Sequence, residues 1–128
     1  MKLTKNFSKS EFECKCGCEM PEEVLDNIKL LSIQLQFIRD HFNEPIKINS
    51  AYRCIKHNQA IGGVSRSQHV LGKASDIRIT GMNSGRVADG IEHLVSEGCL
   101  DIKGLGRYDN FTHVDIRENY ARWNNTSK

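Results

Sequence analysis

At 128 residues, with 38% hydrophobic content, the chain has the size of one domain, long enough to bury a single core but not two. A formal charge of +2 is mildly basic, which suits an anionic surface but is too weak to indicate nucleic-acid binding. No run approaches a membrane span, and polar Met1 to Phe12 lacks the apolar segment of a secretory signal, so synthesis in the cytoplasm without membrane insertion is expected.

Taken in order, the elements form a compact α+β pattern without repeats or low-complexity linkers. Ser8-Lys9-Ser10-Glu11 has the spacing of a capping box and predicts a short helix. Pro21-Glu22-Glu23 starts a longer one, whose stripe of Val24, Leu25, Ile28, Leu31, Leu35, Ile38 and Phe42 is core packing. Pro45 ends the helical region, and Ile46 to Ser50 reads as a short strand delivering Tyr52 and Arg53. Cys54 to Ile61 predicts a helical turn before Gly62-Gly63, a loop without P-loop spacing or a following Lys-Ser/Thr pair. Ala74 to Thr80 alternates as a half-buried strand, with Ser75, Ile77 and Ile79 on one side and Ala74, Asp76 and Arg78 on the other. Asn83 or Ser84 caps a second helix to about Glu97, with Val87, Ile91, Leu94 and Val95 inward and Gly98 closing it. Gly104 to Tyr108 and Thr112 to Arg117 predict an antiparallel hairpin joined across Asp109 and Asn110. Residues 118–128 read as a polar tail whose Tyr120 and Trp123 cover an edge of the core or, less commonly, touch glycan. The expected architecture is a small antiparallel sheet with helices packed on one face and a core spanning about 7–117. With no exposed apolar stripe beyond the core pattern, a monomer is expected.

Five cysteines are an odd count, which argues against a complete disulfide framework. Cys14, Cys16 and Cys18 alternate, while Cys54 and Cys99 stand apart. The CxCxC run can hold a structural metal, but it lacks the two-residue knuckle spacing and no Cys/His pair completes it, so reduced, partly buried thiols are the expectation. Neither these thiols nor His41, His57 and His93 suggest a thiol-protease constellation.

The chemistry concentrates in His69, Asp76 and His113. Two imidazoles and a carboxylate are what a catalytic zinc site uses when its fourth position stays open for water. In Thr112 to Ile116, Val114 and Ile116 share one face while His113, Asp115 and Arg117 share the other. If both strands join one sheet, Asp76 and His113 project from the same polar face, and His69 arrives from a loop turned by Gly72. Each alone has a plainer role, as a loop, exposed-strand or partly buried residue.

Around this triple stand Ser50-Ala51-Tyr52-Arg53, Asn58, Gly62-Gly63, Ser67-x-His69-x-x-Gly72-x-Ala74-x-Asp76, Gly104-x-Gly106-x-Tyr108 and Phe111-x-His113-x-Asp115-x-Arg117. These ordered motifs, from about Phe7 to Arg117, resemble the zinc D-alanyl-D-alanine carboxypeptidase family, most closely its short, phage-type peptidoglycan peptidase branch. That family includes L-alanoyl-D-glutamate endopeptidases and is related in fold to hedgehog domains. The resemblance implies one zinc ion held by His69, Asp76 and His113. It also implies hydrolysis of peptidoglycan stem peptides, by a D,D-carboxypeptidase or an endopeptidase, in a phage or prophage wall-lytic enzyme released through a holin or carried on a virion.

Amide hydrolysis at such a site needs a general base. Many members of the family place Glu or Asp three residues before the third ligand, where this chain has Asn110, and an amide cannot serve. Asp115, on the strand face of His113, is the first replacement, with support of a ligand or a salt bridge to Arg78 or Arg117 as its other role. Asp109, beside Asn110, is the second. Arg53 is expected to bind a substrate carboxylate or the oxyanion, because its planar fork suits both. Tyr52 accompanies it in the motif, and Ser67 is expected to donate to the peptide. The departure at Asn110 also leaves open a zinc-holding but inactive wall-binding or virion module. A cysteine-metal interaction module is a third, weaker alternative.

Overall fold

The computed structural model describes residues 1–127. A 3-10 turn over Lys9–Phe12 opens the chain, and the Ser8 backbone N–H donates to Glu11 Oε2 at 2.8 Å, the glutamate half of the capping box. Helix α1, Glu22–Phe42, follows Pro21 and ends at Asn43, which takes the left-handed conformation at φ 53°. Its Val24, Ile28, Leu31, Leu35 and Ile38 are buried as the spacing predicts. The remaining elements are β1 (Ile46–Ser50), α2 (Ile55–Ala60), β2 (Ala74–Ile79), α3 (Ser84–Ser96), β3 (Gly104–Arg107), β4 (Thr112–Asp115) and β5 (Ala121–Asn124). The Asn83 side chain caps α3 by accepting from the Arg86 N–H at 2.9 Å.

The strands form one sheet in the order β1-β2-β4-β3-β5. Pairs β1/β2, β2/β4 and β3/β4 are antiparallel, as expected for the hairpin and its neighbours, but β5 runs parallel to β3. The sheet is therefore mixed, and the segment read as a polar tail supplies its last strand. Backbone bonds from Ala121 to Lys103 and from Asn125 to Arg107 dock that segment beside β3. Its outward polarity reflects an edge strand, where apolar content is not needed for burial on both faces.

One face of the sheet carries Ile77, Ile79, Leu105 and Val114 into a core shared with the apolar sides of α1 and α3. Arg122 of β5 turns toward the same side and pairs with Glu92 of α3 at 2.7 Å. The opposite face carries the candidate chemistry. On the outer surface of α1, Leu30, Ile33 and Phe37 are exposed at helical spacing, so the expected absence of an apolar stripe is corrected. Among the described residues, no helix is long and apolar enough to cross a membrane.

Candidate metal centre

Strand register assembles the site in one row across the sheet. Ser50 pairs with Asp76, Asp76 with His113, His113 with Gly106, and Gly106 with Trp123. Because side chains alternate with period two, these neighbours all face the same side. A second row places Ala74, Asp115, Gly104 and Ala121 beside it. His69 comes from the turn before β2, where Gly72 at φ 74° lies so close to Val24 of α1 that a methyl group would collide with it. Asn27 of α1 holds the same turn by donating to the Leu71 carbonyl at 2.9 Å.

Three donor atoms converge on this face. Asp76 Oδ1 lies 3.3 Å from His69 Nε2 and 3.0 Å from His113 Nδ1, and the three residues form a compact, buried group. The second nitrogen of each imidazole is fixed from behind. His69 Nδ1 donates to the Ala51 carbonyl at 2.7 Å, and since a carbonyl only accepts, Nε2 is left with its lone pair toward Asp76. His113 Nε2 donates to Asp115 Oδ2 at 2.7 Å, which turns Nδ1 toward the same point. Ligand histidines are oriented by carbonyl or carboxylate partners in this way, so the donor set fits a metal ion with one side open.

The charges agree with this geometry. Burial by itself would raise the Asp76 carboxyl, but the imidazoles of His113 and His69 against it outweigh burial and hold the group well below the carboxylate range. Burial likewise opposes ionisation of Asp115, yet Arg117 and His113 keep it ionised. Arg117 grips that carboxylate with two side-chain bonds of 2.8 and 2.7 Å and a backbone bond of 3.1 Å. Burial opposes the charged form of His113, but the Asp115 and Asp76 carboxylates on either side of the ring outweigh it and raise the group above its ordinary value.

A cleft of about 530 Å³ opens over the triple, lined by Arg53, Ser67, His69, Asp76, Tyr108 and Trp123 among others. Arg66 and Arg117 also reach it, so the cleft is cationic apart from Asp76. Arg53 is braced: Nε donates to Ser50 Oγ at 3.1 Å, one terminal nitrogen to Asn58 Oδ1 at 3.3 Å and the other toward Asp76 Oδ2 at 3.4 Å. Ser67 Oγ accepts from the His69 backbone N–H at 3.1 Å, shaping the ligand turn while lining the cleft.

Other expected site residues lie elsewhere. Tyr52 is buried in the core and does not line the cleft. Its backbone N–H bonds the Phe12 carbonyl while that of Arg53 bonds the His69 carbonyl, so successive residues after β1 face opposite ways. Asp115 is fully buried under His113 and Arg117 rather than facing the cleft. Asp109 accepts from the Ser127 backbone at 3.0 Å and, with Asn110, lines a separate depression beside Asn83 and Ser84.

Trp123, expected to cover an edge of the core or touch glycan, lines the cleft in an aromatic wall with Tyr108 and Phe111 that sequence reasoning did not assemble. Trp123 lies 5.0 Å from the His113 ring and donates to the Tyr108 hydroxyl at 2.9 Å, and Tyr108 stacks on Phe111 at 4.4 Å. The two glycines of β3 make room for this arrangement. A methyl group at Gly106 would strike the indole, and one at Gly104 would overlap the Asp115 carboxylate. The spacing Gly104-x-Gly106 was the available signal, since alternate glycines in a strand mark a close approach. Asn58 was also given no role. Its side chain receives Arg53 and donates to the Val64 carbonyl at 2.8 Å, and Gly63 packs directly on it.

Two imidazoles and one carboxylate, held from behind and facing a cleft, form a candidate metal site of the kind metal-dependent hydrolases use. The family profile of Peptidase M15 matches residues 5–115, and the chain belongs to this family of zinc D-alanyl-D-alanine carboxypeptidase-like peptidases. No curated protein is similar enough to the chain to stand beside it as a relative.

Proposed function

We propose that this protein is a zinc peptidase that hydrolyses peptidoglycan stem peptides, at a terminal D-alanine or at an internal bond. The reading rests chiefly on the convergence of His69 Nε2, His113 Nδ1 and Asp76 Oδ1 beneath a cationic cleft. Zinc held by these three residues would supply Lewis acidity toward the scissile carbonyl and toward water. A phage or prophage setting, with delivery through a holin lesion or on a virion, belongs to the same proposal.

The protein's own groups have distinct tasks in this scheme. Arg53, braced on Ser50 and Asn58, presents a fixed guanidinium to a substrate carboxylate or to the oxyanion formed at the carbonyl. Arg66 and Arg117 add positive charge along the cleft, which suits stem peptides rich in carboxylates. Ser67 and Tyr108 both accept a hydrogen bond from the protein, so each hydroxyl proton is free to be donated to the peptide. Asp115 acts through His113 as a positioning residue.

A second reading, a zinc-holding module without turnover, draws on one observation. Asp76 is the only carboxylate among the described residues lining the cleft, and Asp115 and Asp109 are engaged elsewhere. Incubation of the purified protein with muropeptides, with products identified by mass, separates the two. Loss of D-alanine is expected from a carboxypeptidase, and a split within the stem or cross-bridge from an endopeptidase. Intact muropeptides from several wall chemotypes, with metal bound, would favour the module.

A further inference from the structure

A second metal-binding group lies outside the cleft. Cys14, Cys16 and Cys18 are joined by Cys54, forty positions from Cys14, and one sulfur from each lies within 4.8 Å of all the others. Completion by Cys54 corrects the expectation that no partner closes the CxCxC run. The local cause is a tight turn: Gly17 adopts φ 84° and its N–H bonds the Cys14 carbonyl at 3.0 Å, which bends the alternating cysteines around one point.

We propose that these four cysteines bind a structural zinc ion, separate from the His69, Asp76 and His113 group. The sulfurs are 3.2 Å apart for Cys14–Cys16, 3.6 Å for Cys16–Cys54 and 3.9 Å for Cys14–Cys54. A tetrahedron with Zn–S of about 2.3 Å has sulfurs about 3.8 Å apart, so the cluster is already near the required size. Backbone amides point at the sulfurs as they do around metal-bound thiolates, with Cys54 N–H on Cys14 Sγ at 3.4 Å and His57 N–H on Cys54 Sγ at 3.3 Å. All five cysteines are free thiols, and Cys99 stands apart from the group. The sulfur separations are far longer than an S–S bond of about 2.05 Å, whereas one ion at the centre uses all four sulfurs. Four protein ligands leave no open position, which makes the site structural rather than catalytic.

Its position gives it a task. Cys54 directly follows Arg53, and the adjacent Tyr52 N–H bonds the Phe12 carbonyl at 3.0 Å. An ion at the cluster ties the first twenty residues to the loop that presents Arg53 to the cleft.

Cobalt substitution tests this directly, because the His69 group contains no sulfur and any thiolate-to-cobalt absorption must come from the cysteines. The protein purified without added metal should contain two zinc ions per chain, and the cobalt form should show near-ultraviolet thiolate bands. His69→Ala should retain one ion and those bands, and Cys16→Ser/Cys18→Ser should lose both the bands and one ion. If the cysteine variant fails to fold, the wild-type spectrum and zinc count still decide. A single zinc that is lost with His69→Ala and kept with Cys16→Ser/Cys18→Ser, a cobalt form without thiolate bands, or an intact mass short by the hydrogens of a disulfide would each overturn the proposal.

Discussion

The two faces of the sheet are built from the same strands by opposite rules. On the core face, Ile77, Ile79, Leu105 and Val114 need only be apolar and of suitable volume. On the site face every polar atom has an assigned partner: Asp76 two histidines and an arginine, His69 the Ala51 carbonyl, His113 two aspartates, Asp115 an arginine. Small residues replace packing there, with Ala74, Gly104 and Ala121 surrounding Asp115 in its row. The difference teaches that stability and chemistry are separable across one sheet, so substitutions on the two faces should fail in different ways.

The sharpest break is at the donors. His69→Ala should abolish muropeptide hydrolysis and bound zinc together at the cleft site while leaving far-ultraviolet circular dichroism unchanged. Hydrolysis persisting in a variant that has lost the cleft zinc would sink the assignment. Asp115→Asn tests the support behind His113 and should weaken zinc binding or activity about 10–100-fold, the range for such outer partners. Measuring kcat and KM beside metal affinity is informative here: an effect on kcat with zinc affinity unchanged would restore Asp115 as a proton-transfer group.

Gly104→Ala links the faces, since its methyl group would enter the Asp115 carboxylate from the adjacent strand. Overpacking of this kind costs about 1–3 kcal/mol, to be read from urea denaturation, and activity should fall with it. On the opposite face, Ile77→Ala should cost about 2–5 kcal/mol through lost burial and a cavity. The molecules that remain folded should keep the wild-type kcat. Loss of kcat in folded Ile77→Ala protein would mean that the faces are not separable.

Much of the site was readable because alternation is a local property. Asp76 and His113 could be placed on one polar face from the period of Ala74 to Thr80 and Thr112 to Ile116, and pairing of the two strands then brought them together. The long helix and its inward stripe followed equally from spacing and Pro21. What escaped depended on long-range register. Trp123 enters the row only because β5 pairs in parallel with β3, and no local pattern in a polar segment announces a parallel edge strand. Cys54 joins Cys14 across forty positions for the same reason. Asp115 shares a face with His113 as expected, but its burial depends on Arg117 folding back over it, which periodicity does not reveal.

Trp123→Ala examines that missed contribution. Loss of the indole removes its contact with His113 and the bond to Tyr108, with aromatic pairing worth about 0.5–1.5 kcal/mol. A severalfold rise in KM is expected, with zinc content retained. An unchanged KM would reduce the indole to an edge cover.

The smallest effect expected concerns the one place where the core face departs from its own rule. Ser75 shares the core face of β2 with Ile77 and Ile79 and pairs with Val114; it is fully buried, and its hydroxyl has no hydrogen-bond partner. A buried hydroxyl without a partner carries a desolvation penalty of about 1–3 kcal/mol. Ser75→Ala removes the group without adding volume, so stability should stay level or rise by about 1 kcal/mol. Hydrolysis should be unaffected, because Ser75 points away from the row that holds Asp76. A clear loss of stability in urea would show that the hydroxyl is satisfied after all, and the contrast between a satisfied site face and a tolerant core face would have to be redrawn at this strand.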